Sequence, residues 1–186
     1  MKIKETFKNL ERYKGLIQNY QDYINYYIDC LNDDNKLIEY IERPQSEILN
    51  VQKSRNITAP QEREVIKKEI GRKQAKEELE YYKGKRNDLY DKLYILEKSL
   101  EYLEKLPRGE EMLYVIECRY IDRMRWSDVE NNFNSRFRKD DYDIGYNSIN
   151  NINSKSLKLL QEYADSYPVF KINYNEELKK INFKLI

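Results

Sequence analysis

The chain has 186 residues, 34 Lys and Arg against 33 Asp and Glu, and no histidine, which leaves room for one or two small domains. The missing histidine removes Cys/His zinc sites, serine–histidine triads and histidine general bases together. A net charge of only +1 excludes phosphate binding through bulk charge alone.

Few glycines and prolines and many charged residues suit long, solvent-washed helices better than a β sandwich, so the expected fold class is all-α. Cys30 and Cys118 lie far apart with no CxxC spacing and read as reduced, structural thiols. The start, MKIKETFKNLERYK, is too charged for a signal peptide, and no apolar run approaches membrane-spanning length. The expectation is a soluble, cytoplasmic protein with no membrane partner. Heavy use of Lys, Asn, Tyr and Ile, all with A/T-rich codons, hints at a low-GC bacterial or phage genome.

From the start of the chain, Ile3, Leu10, Ile17, Ile24, Leu31 and Ile38 recur every seven residues. This stripe predicts a coiled-coil helix, because an ordinary amphipathic helix drifts off a strict heptad over such a length. Residues 42–61, with Pro44, Ser46, Asn50, Ser54, Asn56, Thr58 and Pro60, read as a long loop. Heptads resume at Glu62 and become a clean seam over Leu89, Leu93, Leu96, Leu100 and Leu103 before Pro107 and Gly109 end the helix. Each helix would reach roughly 60 Å. Folded back on each other they make a long antiparallel hairpin over residues 1–106. The sequence is compatible with pairing within one chain or between two, and interrupted seams leave room for a homodimer. The stalk reads equally as an assembly surface or a solvated spacer.

Residues 107–165 read as a module of three short helices. Leu113, Ile116 and Tyr120 share one face of the first, and Glu110 and Glu111 suit its positive end. Ser127 with Glu130 reads as a capping box opening the second helix, where Val129 and Phe133 lie one turn apart. Trp126 is expected to pack across the turn between the first two helices. The third helix, from about Asn147 or Ser148, turns Ile149, Ile152, Ser156 and Leu160 inward. Asn147, Asn150, Asn151, Ser154, Lys155 and Lys158 then face outward with Ser148 at the start. Asparagine can make bidentate contacts to adenine in the major groove, and serine and lysine can take phosphate oxygens. The bland alternative is a polar face in an asparagine-rich chain. Two short helices followed by a third presented outward is the plan of a helix-turn-helix reader of double-stranded DNA.

The run Arg119-Tyr120-Ile121, then Trp126-Ser127-Asp128-Val129, then Ser148-Ile149-Asn150-Asn151-Ile152 with Lys155, Leu157 and Leu160 resembles sigma-70 region 4. More closely it resembles the sigma-like regulators of phages and mobile elements, the ArpU- and RinA-type group, several of which place a coiled coil ahead of this module. The resemblance spans about 50 residues by motif, mostly packing positions. It implies a transcription regulator that binds promoter DNA through the third helix and touches RNA polymerase. Carried across by position, Asn147, Ser148, Asn150, Asn151, Ser154 and Lys155 face the DNA. Arg119, Arg123 and Arg125 are phosphate candidates, although Arg119 could equally pair with an acid in the module. The chain departs from the pattern at Asn134–Tyr146, where the family has a tight turn. Arg136, Arg138 and Lys139 there suit a wing on the phosphate backbone, against repulsion from Asp140, Asp141 and Asp143. Arg108–Leu160 holds nine basic and nine acidic residues, so long-range steering toward DNA is expected to be weak.

Residues 166–186 read as a tail, with a short strand over Val169–Tyr174 and a last helix over Glu176–Ile186. No Gly-rich phosphate loop or metal-ligand cluster is present, and acid pairs such as Glu110-Glu111 arise by chance on charged helices. No enzyme activity, catalytic residue, metal or cofactor is expected. Two further readings compete with DNA binding. One is a protein-interaction factor that engages polymerase or another regulatory protein. The other is a small terminase subunit, in which the helices would follow the module in reverse order.

Overall fold

A computed structural model of the chain describes residues 1–43, 60–139 and 142–167, and these form helices with no strand among them. The helices are α1 (Ile3–Lys8), α2 (Leu10–Asn32), α3 (Asp34–Glu42), α4 (Pro60–Glu104), α5 (Gly109–Ile116), α6 (Trp126–Phe137) and α7 (Tyr146–Ser166). A π-helical turn, Glu117–Ile121, continues α5. Most of the expected 42–61 loop, Asp140 and Asp141, and the strand and last helix expected in the tail lie outside the described residues. None of the described helices is long and apolar enough to cross a membrane.

The first expected helix is three helices. Asp33 takes up an extended backbone and its carboxylate accepts the Asn35 amide at 2.8 Å, capping α3. That local bond competes with continuing α2, which is why Asp and Asn favour helix starts. The heptad stripe is buried from Ile3 through Ile24, Leu31 just before the break is only half-buried, and beyond the break Leu37 and Ile41 are buried while Ile38 is half-buried.

The chain forms two compact units, one of Lys14–Asp88 and one of Met1–Tyr13 with the described residues from Leu89 on. Sequence alone suggested a boundary near 106; the contacts instead group α1 and the end of α4 with the C-terminal helices. In the Lys14–Asp88 unit, α2 and α3 run antiparallel to α4: Gln21 meets Arg86, Tyr27 meets Tyr82, and Asp34 meets Arg72. A Cβ on Gly71 would lie 2.7 Å from the Ile41 side chain, so glycine lets α3 and α4 close.

In the other unit the predicted seam Leu89, Leu93, Leu96, Leu100 and Leu103 is buried. Gly109 starts α5 so close to the end of α4 that a methyl would strike the Leu103 and Glu104 carbonyls. Val115, Cys118, Val129, Phe133 and Ile149 form the nucleus of α5, the π turn, α6 and α7, with Tyr114, Trp126, Ile144 and Ile152 packed around it. The far end of α7 is tied down separately. Gln161 accepts the Ile3 amide at 3.0 Å, and Tyr163 stacks on Tyr102 with ring centroids 4.6 Å apart.

Candidate nucleic-acid interface

Five residues of α7 turn inward: Ile149, Asn153, Ser156, Leu160 and Ala164. At 3.6 residues per turn, Asn147, Ser148, Asn151, Ser154, Lys155 and Lys158 fall within roughly 120° on the opposite side. All six are exposed, whereas Asn150 is half-buried at the edge of that arc. Ile152 is half-buried, and Asn153, one position on, takes the core place instead. That is a correction to the expected inner face. One turn of 3.6 residues after Ile149 falls between residues 152 and 153, and the later of the two, an asparagine, reaches the core. Among the described residues no group donates to its buried Oδ1.

The start of α6 differs from the expected capping box. The N-cap is Arg125, in extended backbone and without a side-chain cap, and Ser127 sits inside the helix with its hydroxyl 3.4 Å from Asp128 Oδ1. Packing of Trp126 sets this start in place of a serine cap. The Arg119 guanidinium lies over the Trp126 ring at 5.0 Å and donates to the Met124 carbonyl at 2.7 Å. Arg119 is therefore engaged within the module by a ring and a carbonyl. Trp126 does bridge the turn, and its other edge meets Tyr146 at the start of α7, with centroids 5.8 Å apart. The first turns of α6 and α7 thus lie side by side.

The turn between them and α5 is tightly wound. The Asp122 amide donates to the Glu117 carbonyl and the Met124 amide to the Cys118 carbonyl, both at 2.9 Å. Arg123 closes it with φ +56°, a left-handed conformation that costs a side-chain-bearing residue about 1 kcal/mol. Arg123 and Arg125 are both exposed.

Arg136 and Arg138 are held differently. Arg136 pairs with Glu110 at 3.0 Å and lies 4.8 Å from the Tyr114 ring centroid. Arg138 pairs with Glu111 at 3.3 Å and donates to the Phe137 carbonyl. These acids are 26 and 27 residues away in the chain, so no local pattern announces the pairs. Part of the expected insertion is helix, since α6 runs to Phe137. Asn134 then closes the connection: its amide donates to the Ile144 carbonyl at 3.0 Å, and its oxygen accepts the Ile144 amide at 3.1 Å. Ile144 is thereby seated on the nucleus, while Tyr142 is almost wholly exposed.

Titration beneath this surface follows burial. The Cys118 thiol is pushed up by burial, and the neighbouring Tyr114 hydroxyl rises for the same reason, helped by its hydrogen bond to that thiol. A thiol held protonated is a poor nucleophile. Among the described residues no group of His, Cys, Asp and Glu could hold a metal. Compared with protein-family models, with curated proteins and with solved structures, the chain matches none.

Proposed function

We propose that the chain is a DNA-binding transcription regulator of the sigma-region-4-like type carried by phages and mobile elements. In this reading α5 with its π turn, α6 and α7 form the helix-turn-helix, and α7 enters the major groove. The observation that carries the reading is the polar arc of α7, six exposed donor and acceptor residues opposite a fully seated inner face. The adjoining α6 start, with Arg123 and Arg125, suits the phosphate backbone beside the groove, as the first helix of such motifs crosses it. The long helices act as a coiled-coil hairpin that brings copies together or meets RNA polymerase. Added contacts of that kind offset the module's even charge through effective concentration.

The test is footprinting and gel shift on duplexes from the gene's own neighbourhood at fixed salt. Each good bidentate base contact is worth about 1–3 kcal/mol, so Asn147→Ala with Asn151→Ala should weaken site-specific binding at least roughly tenfold. Nonspecific binding should change little. Unchanged specific affinity in the double variant would sink the recognition-helix assignment.

A second reading, a protein-interaction factor without tight DNA binding, is favoured by the pairing of Arg136 and Arg138 with Glu110 and Glu111. It is preferred if the chain retrieves a stoichiometric protein partner and shows no affinity for duplex DNA even at low salt.

A further inference from the structure

Between the first turn of α5, the end of α6 and the flank of α7 lies a recess of about 390 Å³. Three cations line it, Arg108, Arg138 and Lys155, together with Ser148 and Asn151 from α7. Met112 and Ile152 supply apolar floor. The single acid is Glu111, and its carboxylate is already engaged. Arg108 donates to it through Nε at 2.9 Å and Nη2 at 2.5 Å, and Arg138 approaches at 3.3 Å.

A carboxylate has two oxygens, and Glu111 spends both on the arginines. Lys155, Ser148 and Asn151 are left with no partner among the described residues. These donors together with the arginine forks suit an oxyanion that turns several oxygens to hydrogen bonding. A phosphoryl group has that composition, and the lining cations exceed the acid by two. The amide end of α5 adds positive potential at the same mouth.

We propose that this recess is a phosphoryl-binding site, with Glu111 acting as a built-in competitor for the two arginines. The incoming oxyanion takes Lys155, Ser148 and Asn151 directly and draws Arg108 away from Glu111. Arg138 is held by Phe137 as well as Glu111 and forms the fixed wall. The phosphoryl group can come from a small phosphorylated molecule or from the backbone of duplex DNA on α7; the second source rests on the function proposed above.

The experiment titrates the full chain, isotopically labelled, with inorganic pyrophosphate and follows amide shifts. Saturable shifts confined to the first turn of α5 and residues 148–155 are expected. Lys155→Ala should weaken binding roughly tenfold, the loss of one charge-assisted contact. Glu111→Gln should tighten it several-fold, because two guanidiniums are released. Lys4→Ala should leave it unchanged, since Lys4 is an exposed cation of α1 outside the recess. Equal losses in Lys155→Ala and Lys4→Ala would overturn the site in favour of general surface charge. So would the absence of saturable shifts at millimolar pyrophosphate. Should Glu111→Gln perturb the fold, Asn151→Ala at the exposed rim carries the same expectation as Lys155→Ala. Duplex DNA then separates the sources: displacement of DNA by pyrophosphate assigns the backbone, and coexistence of both assigns a small molecule. Pyrophosphate binding with no affinity for any duplex keeps the recess and removes the DNA reading; DNA binding without pyrophosphate binding does the reverse.

Discussion

The nucleus of α5, α6 and α7 and the pairing of α2 and α3 with α4 are both helix-on-helix contacts, but they are made of different material. In the first, Val115, Val129, Phe133 and Ile149 have no exposed surface at all. In the second, Tyr82 sits among Tyr20, Tyr23 and Tyr27, with centroids 5.9, 4.7 and 5.8 Å away, and Tyr23 remains half-exposed. A closed apolar nucleus fixes the rotation of each helix, because slipping one residue would expose it to water. Ring stacks at the edge of water tolerate small shifts, since aromatic pairs accept a range of offset and tilted geometries. A nucleus closed in this way holds the polar face of α7 in one defined orientation.

Truncation separates the two most sharply. Phe133→Ala should cost about 3–5 kcal/mol, measured by denaturant unfolding. Amide protection across α5–α7 should collapse along with any DNA affinity. Tyr82→Ala, at a half-exposed ring, should cost clearly less, about 1–3 kcal/mol by apolar area, and leave α7 protection intact. Equal losses would erase the distinction between a fixed nucleus and a tolerant seam.

How much of this was legible in the sequence follows from the range of each interaction. Val129, Phe133, Ile149 and Leu160 repeat at helical spacing, and the leucines from Leu89 to Leu103 form an unbroken seam, so pattern alone placed them inside. The Asp33 break was hidden because the heptad stripe runs straight through it, while the Asp33 carboxylate caps a new helix there. Ser127 looked like a cap because its neighbours fit the rule, yet Trp126, Arg119 and Tyr146 decide where α6 starts. The Arg136–Glu110 and Arg138–Glu111 pairs, and the clamp of Asn134 on Ile144, join residues that only the fold brings together. Outward placement of Asn147, Asn151 and Lys155 was readable from periodicity; the recess beside them was not.

Asn153 puts a polar group on the apolar side of this comparison, at the place where the sequence reading expected Ile152. Its Oδ1 is buried without a donor among the described residues, and an unsatisfied buried acceptor costs about 1–3 kcal/mol. Asn153→Leu, of similar size, should therefore raise stability by about 1 kcal/mol in denaturant unfolding, with DNA affinity unchanged because the residue faces inward. A loss of stability instead would mean that a bound water or donor satisfies this oxygen, and that the nucleus is polar by design.

Acid should drive the two regions in opposite directions. Burial, with Asp122 adding to it, raises the Glu117 carboxyl in the π turn above its ordinary range. The folded chain therefore binds that proton more tightly than the unfolded chain does, so the ionised form opposes folding at neutral pH and the penalty fades as pH falls through the raised value. Asp34, between α3 and α4, is lowered first by the charge of Lys68 and further by hydrogen bonds from Lys68 and Arg72. Its stabilisation is present above the unfolded carboxyl value and is lost as pH falls through the lowered folded one. Glu117→Gln should then protect α5 amides at neutral pH and make no difference at acid pH. Asp34→Asn should loosen α3 at neutral pH by a small amount, as an exposed pair does, and also converge with the parent in acid. Hydrogen exchange read separately at α3 and α5 distinguishes these trends; a shared direction would show that the two carboxylates do not differ in the way their surroundings dictate.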